Sequence, residues 1–430
     1  MSVALNLVTT TTCDVRTEPS CPPDGVWLYN TDVLYDAGGA ALAVYHKAHI
    51  FSTAAALDQA PPRAVVAELP LRSGARLRAG LAICYDMEFD TPTALLKRVS
   101  VHVVLLSSLW ESESGIYSPR MMQQAYSRAW DVALVAANAA TESGVSGGSG
   151  IYASGEPLAS IPEAPTDGTV YADIELEARH GPSSEAARAM AGEATRARAA
   201  VLRAARGGLP ASRNCRIVQD GQPDFYINGS CAELMPSDGG RMRALATHEG
   251  VECDAVATLS RRAGGIDVDG DGEYTYVLAA LAGVVRFAGT PDGLNMRLCT
   301  LLRCARGSGA HEAGDCERPV AGSAPLRALA SAEIAAGGLC EDGPDNGGLD
   351  EGDDGHVCAN GRRLFLMGGE GDDGAPLPGA RFFAGGGERD AALAWERGGV
   401  SSEHELFALT ATAIRRAAGT PGGGGAAVAA

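Results

Sequence analysis

A thiol, an ammonium group and nearby carboxylates can together cleave an acyl bond, and this 430-residue chain sets such residues at the ends of apolar runs. Cys84 closes the run Leu81-Ala82-Ile83 and is followed by Tyr85, Asp86 and Glu88, acids that an apolar core strand does not continue through. A cysteine at the carboxyl end of a buried strand, where a helical turn begins, is well placed as a nucleophile, because neighbouring backbone N–H groups favour the thiolate. Taken singly, a cysteine in an apolar run is more often packing. Lys47 ends a second strand-like run, Ala40 to Tyr45. If the two strands lie together at one end of the same sheet, the ammonium meets the thiol. There it lowers the thiol pKa and can hold an oxyanion. The ordinary place for a lysine is the surface.

The elements that must position these residues are legible around them. Leu81–Ile83 and Val101–Leu106 are two apolar runs separated by a short helical segment, Thr93 to Arg98. That is a βαβ pattern, which predicts a parallel or mixed sheet with its site at the carboxyl ends of the strands. Ser107-Ser108 stands at the second of those ends. Val3–Val8 reads as a strand, and Val26–Tyr35 with Ala40–Tyr45 as a hairpin across Asp36-Ala37-Gly38-Gly39. Val65–Leu69 and Arg76–Ile83 make a strand pair, Pro119–Asp131 a helix, and Val132–Ala137 a buried strand ending on Asn138. Thr169–Leu176 is expected as a last strand of this domain, and Ala48–Gln59 as a loop.

Composition narrows the partners. The net charge of −18 opposes binding to nucleic acid or an anionic membrane surface. No apolar run approaches a membrane span. The 11 cysteines form no CxxC pairs, which argues against zinc, and their spread suits an oxidising compartment with most of them bridged. Cys13 and Cys21 could bridge each other across a polar loop; Cys299 and Cys304 should point to opposite faces of a strand and pair elsewhere. Asn228-Gly229-Ser230 is a glycosylation sequon. Met1–Thr10 lack a signal-peptide pattern, so a secreted protein is expected here as a chain that begins partway into its natural sequence.

The domain reading is a catalytic domain over 1–180, a helical Ala/Arg-rich linker over 181–213, a cysteine-rich domain of mostly short strands over 214–416, and a Gly/Ala-rich tail over 417–430. The acidic stretches 267–273 and 341–354 invite a calcium reading, but the first lacks the glutamate that closes an EF-hand loop, with Leu278 in its place. Both read as solvated loops.

Tyr45-His46-Lys47 with Ile50-Phe51, Ile83-Cys84-Tyr85-Asp86 with Phe89, Trp110 after a buried strand, Asn138, and Gly148-Ser149-Gly150-Ile151-Tyr152 together resemble the carbon–nitrogen hydrolase (nitrilase) superfamily, most closely its biotinidase and vanin branch. Tyr29-Asn30-Thr31 and the Leu298–Cys304 run resemble the same branch. The resemblance implies an α/β fold: a partial αββα nitrilase-type sandwich followed by a mostly β, cysteine-rich C-terminal domain. It implies Cys84 as nucleophile, Lys47 as the catalytic lysine and the Tyr85 backbone N–H as an oxyanion donor, with Trp110 and Asn138 lining the substrate depression. It implies no cofactor, and a small-molecule amide substrate of pantetheine or biocytin type. The family pattern also carries a general-base glutamate upstream of the lysine and another a few residues after it. The acids before Lys47 (Asp14, Glu18, Asp24, Asp32, Asp36) match no such motif, and Phe51-Ser52-Thr53-Ala54 stands where the second glutamate belongs. An impaired amidohydrolase is therefore expected. The alternative is an inactive relative that binds a ligand or a protein.

Overall fold

The computed structural model describes residues 1–51, 56–71, 73–89, 91–110, 118–140, 146–161, 168–175, 209, 211–219, 222–236, 241–259, 274–286, 293–305, 315–316, 329–337, 363–370, 381–384, 391–396 and 408–416. The chain enters as an antiparallel meander of β1 (Val3–Thr12), β2 (Val26–Tyr35) and β3 (Ala41–His46). The β2–β3 turn is fixed by Asp36, whose Oδ1 accepts from the N–H of Gly38 and of Ala40, with Gly39 at φ +84°.

The second sheet runs in the order β4 (Val66–Pro70), β5 (Arg76–Ile83), β6 (Val103–Ser108), β7 (Ala133–Asn138), β8 (Gly150–Ala153) and β9 (Glu156–Ser160). Strands β5, β6 and β7 are parallel and the flanking pairs antiparallel, so the sheet is mixed, as the βαβ pattern requires. The crossovers are α1 (Thr93–Arg98) and α2 (Pro119–Ala129). Helix α2 is started by Ser118, whose side chain accepts from the Met121 N–H, with Pro119 at the first helical position. Gly80 lets α1 approach β5: a Cβ there would stand 2.8 Å from Leu96 Cδ2.

Period-two alternation sorts the side chains of this sheet into two cores. Ala79, Leu81, Ile83 and Val103 face Leu34, Ala43 and Tyr45 of the meander. Ala82, Val104, Leu106, Leu134 and Ala136 face Leu96 of α1 and Met121, Met122, Ala125 and Tyr126 of α2. The layers are therefore helix, sheet, sheet, three of the four in an αββα sandwich. The outer face of the meander leaves Val3, Leu5, Leu7 and Val44 exposed, and no helix covers it among the described residues.

Beyond residue 209 the described chain is all strand. One sheet has the order β17-β10-β11-β15-β16-β22-β19 and the other β12-β13-β14-β18-β21-β20. These are β10 (Arg213–Gln219), β11 (Gln222–Glu233), β12 (Met235–Pro236), β13 (Arg241–His248), β14 (Val251–Leu259), β15 (Tyr274–Arg286), β16 (Gly293–Ala305), β17 (Asp315–Cys316), β18 (Leu329–Gly337), β19 (Arg363–Glu370), β20 (Arg381–Ala384), β21 (Ala391–Glu396) and β22 (Ala408–Arg416). Cys253 of β14 is bonded to Cys299 of β16, so this disulfide ties one sheet to the other; Cys215–Cys231 pins β10 to β11. Leu281, Met296 and Leu298 join the core that contains Met121 and Tyr126, so β15 and β16 pack on the helical side of the first domain.

Several expectations are corrected. Residues 169–175 form no strand, whereas Glu156–Ser160 does, paired to β8 through a turn at Ser154 and Gly155, both at positive φ. The C-terminal strands are not all short: β15 and β16 have 13 residues each, because their mutual pairing continues without a break. The linker helix, both acidic stretches and the tail lie outside the described residues.

Candidate functional site

The carboxyl ends of the three parallel strands carry the site. Strand β5 delivers Cys84, β6 leads through Ser108 and Leu109 to Trp110, and β7 ends on Asn138. Cys84 opens a single 3-10 turn, Cys84–Glu88, and has φ +47°. A non-glycine residue in that region is conformationally strained, and such strain concentrates where a side chain must be aimed. The thiol is partly buried, unbridged, and directed at the Leu109 carbonyl at 3.8 Å.

Lys47 comes from the other sheet. Alternation along β3 turns Tyr45 and Lys47 to the inner face and His46 to the outer, where His46 stacks on Tyr29. The Lys47 backbone continues the ladder, donating to Asn30 O at 2.8 Å. Lys47 is only 5% exposed, so it is no surface lysine. The expectation of one shared sheet is thus corrected: Lys47 and Cys84 stand on two sheets packed face to face. Their meeting depends on the packing between the layers, which local sequence does not encode.

What joins the two layers is Asp86. Its Oδ2 accepts from the Tyr45 hydroxyl at 2.8 Å and the Ile83 N–H at 3.0 Å, and its Oδ1 from the His49 N–H at 3.0 Å. Burial pushes this carboxyl up to about 6, against the pull of those donors and of the Lys47 ammonium. Asp32 of β2 is also fully buried and raised to about 6 by burial, while Asn6, Ser107 and Lys47 favour its anion. Tyr45 and Asp32 were not marked as site residues in the sequence. The signal available was two polar residues at inward positions of strands otherwise lined by apolar ones.

The Lys47 charge acts on Asp32, Cys84, Asp86 and Glu88 together, favouring the ionised form of each. Burial nevertheless dominates at Cys84, and the thiol is held above its ordinary range; Asp86 and Glu88 add to that rise. Glu88 is raised well above the usual carboxylate range, again by burial. The turn is wrapped by rings: Tyr85 meets Phe51 and Phe89 edge-on at 5.2 Å and 5.0 Å, and Phe89 stacks on His49 at 3.8 Å.

Asn138 ends β7 beside Trp110. Its Oδ1 accepts from the Trp110 N–H at 2.8 Å, and its Nδ2 donates to the Trp110 carbonyl at 3.0 Å and to the Gly147 carbonyl. The side chain is therefore engaged by backbone, and it fixes Trp110 and the loop before β8. Asn228 lies in β11, paired with Arg216, and its side chain is outside the described residues. Among the described residues, no group of three or more His, Cys, Asp or Glu could hold a metal ion, and no helix is long and apolar enough to cross a membrane.

Residues 12–180 match the carbon-nitrogen hydrolase family model. A biotinidase of Takifugu rubripes is 33% identical over 141 residues, 33% of this chain and 27% of the relative. A pantetheinase of Bos taurus is 32% identical over 143 residues, again 33% of this chain and 27% of the relative. A Homo sapiens pantetheinase is 30% identical over 142 residues. The aligned stretch thus spans little more than a quarter of the relatives' length, 27% in each of these three. Among solved structures, an amidase from Nesterenkonia sp. overlaps 39% of this chain and 59% of its own, at 22% identity and a TM-score of 0.30.

Proposed function

We propose that this chain, whose residues 12–180 match the carbon-nitrogen hydrolase family model and which is similar to biotinidases and pantetheinases, cleaves a linear amide through a thioester on Cys84. The observation that carries the reading is the free Cys84 thiol, at positive φ at the end of β5, under the field of the buried Lys47. Sγ attacks the amide carbonyl, and the charge that develops on oxygen is met by the Lys47 ammonium and the Tyr85 backbone N–H. Collapse expels the amine, and water then releases the acid. Trp110 lines the acyl pocket and Asn138 positions it. A pantetheine- or biocytin-like amide is the substrate class, in keeping with the relatives' names.

Turnover is slow in this reading, because burial keeps the thiol protonated at neutral pH. The disulfides Cys13–Cys21, Cys215–Cys231 and Cys253–Cys299 support an extracellular or secretory setting, with the Asn228 sequon as a glycan acceptor. The test is intact-mass analysis after incubation with a pantothenoyl or biotinyl anilide. A slowly formed acyl adduct, absent in Cys84→Ala, is expected. No adduct with either probe leaves the ligand-binding relative as the better reading. Rapid multiple turnover would overturn the claim of slow turnover alone.

A further inference from the structure

Amide cleavage at Cys84 needs a group that takes the thiol proton and later gives one to the amine. Two carboxylates, Asp86 and Glu88, lie on the turn that Cys84 opens and are felt at its thiol; two more, Asp32 and Asp58, lie on or beside β2. Asp86 has both oxygens engaged by Tyr45, Ile83 and His49. Asp58 Oδ2 is held by the Leu28 N–H at 2.6 Å. Asp32 Oδ1 accepts from Asn6, and its Oδ2 is buried with no hydrogen-bond partner among the described residues, but its charge is not among those felt at the Cys84 thiol. Glu88 differs. It closes the same single turn that Cys84 opens, its Oε1 is buried without a hydrogen-bond partner among the described residues, and its charge is felt at the Cys84 thiol. A buried carboxyl oxygen without a partner is costly, and such groups persist where a substrate or a moving proton satisfies them.

We propose that Glu88 is the proton acceptor for Cys84, a role that rests on the amidase reading above. The carboxylate takes the Sγ proton as the S–C bond forms and the carbonyl π pair moves to oxygen. The C–N bond then breaks, and Glu88 returns that proton to the departing amine, leaving a thioester. In the second half Glu88 takes a proton from water as the hydroxyl adds to the thioester carbonyl. The C–S bond breaks, and the thiolate recovers the proton. Atoms and charge balance with no further reactant.

Burial raises Glu88 and the Lys47 ammonium, from the β3 side, opposes that rise; Glu88 and Asp86 both act on Cys84 across the turn, and Tyr85, Phe51, Phe89 and His49 form the ring shell around it. The working form of the pair carries one proton between thiol and carboxyl. Cleavage therefore rises with pH as the first proton leaves the pair and falls as the second leaves.

The experiment compares the full chain with Glu88→Gln and Glu88→Asp by two readouts. The first is acylation by the anilide. The second is the pH profile of Cys84 alkylation by iodoacetamide, which reports thiolate without needing a base. Glu88→Gln should slow acylation by roughly 10²–10⁴-fold and turn its bell-shaped pH profile into a single rise. It should also move the alkylation midpoint to lower pH, because a neighbouring negative charge is gone. Glu88→Asp should recover part of the acylation and the bell. Opposite movement of the two readouts separates proton transfer from damage to the turn, which would depress both. An unshifted alkylation midpoint, or acylation by Glu88→Gln at the parent rate, overturns the role of Glu88. Absence of any acylation in the unsubstituted chain instead overturns the amidase reading, and the alkylation arm still decides whether Glu88 and Cys84 share a proton.

Discussion

The Tyr45 hydroxyl donates to Asp86 Oδ2 at 2.8 Å, and through this bond the strand that carries Lys47 is fixed against the turn that carries Cys84. The two residues are 41 positions apart and lie in different layers. Burial also pushes the Tyr45 hydroxyl far above its ordinary pKa, so it stays a donor throughout the working pH range.

Tyr45→Phe keeps the ring in its apolar site and removes only the donor. Asp86 retains the Ile83 and His49 N–H groups. We predict a loss of roughly 1–3 kcal/mol in stability, the usual scale for a hydrogen bond to a charged buried group. Urea unfolding measures this. The Tyr45 bond favours the Asp86 anion, so its removal should raise the Asp86 pKa further above about 6. A stability unchanged from the parent would mean that this bond does not hold the layers.

The raised carboxyls give stability a definite slope with pH. Asp32 and Asp86 titrate near 3.8 when unfolded and at about 6 in the fold. Between those values the folded state binds more protons than the unfolded one, so stability falls as pH rises through that window. The contribution is fully present below 3.8 and is lost by the time pH has passed about 6. Glu88, raised further, extends the same fall to higher pH. Asp32→Asn should flatten the profile measured by chemical denaturation; a profile as steep as the parent's would rule out Asp32 as a source of the slope.

Lys47→Met should make the thiol harder to ionise, since the ammonium is the first of the forces that favour its anion. A neighbouring cation is worth one to a few pKa units, so Cys84 alkylation near neutral pH should slow by roughly tenfold or more. Alkylation at the parent rate would show that Lys47 does not reach the thiol.

Asn138→Ala should leave the Trp110 N–H, now bonded to Asn138 Oδ1, without its buried partner. The expected cost is roughly 1–3 kcal/mol, together with a shift in Trp110 fluorescence. A neutral outcome would place Asn138 outside the support of the Trp110 wall.

The three bridges should differ in weight according to the loop that each closes. Cys253 and Cys299 are 46 residues apart and Cys13 and Cys21 only 8. Chain-entropy reasoning gives about 4 kcal/mol for the first and about 2.5 kcal/mol for the second. Replacing both cysteines of each pair by alanine and comparing the unfolding midpoints tests the order. The reverse order would mean that packing of the two C-terminal sheets, rather than loop closure, sets the effect.

Most elements of the first domain and the residue types of the site are legible in the order of residues alone. The apolar runs at Leu81–Ile83 and Val101–Leu106, with the short helix between them, specified parallel neighbours, and β5 and β6 pair that way. The polar stop after Ile83 and the motif around Lys47 marked the two residues that the fold buries beside each other's charge. These signals are local: period, turn chemistry and the point where an apolar run ends. Only the tertiary structure decided which layer each strand joins. Lys47 reads as a neighbour of Cys84 within one sheet, yet it comes from the facing sheet, because the inter-sheet core that Leu34 and Leu81 share has no local signature. The same reason hides Asp32 and Glu88: a carboxylate looks solvated in a sequence until the surrounding layers remove its water. Residues 169–175 carry β-branched content without a strand partner, whereas β9 is a strand because it pairs with β8. Burial, not residue type, raised the acids around Lys47, and burial is a property of the packed layers alone.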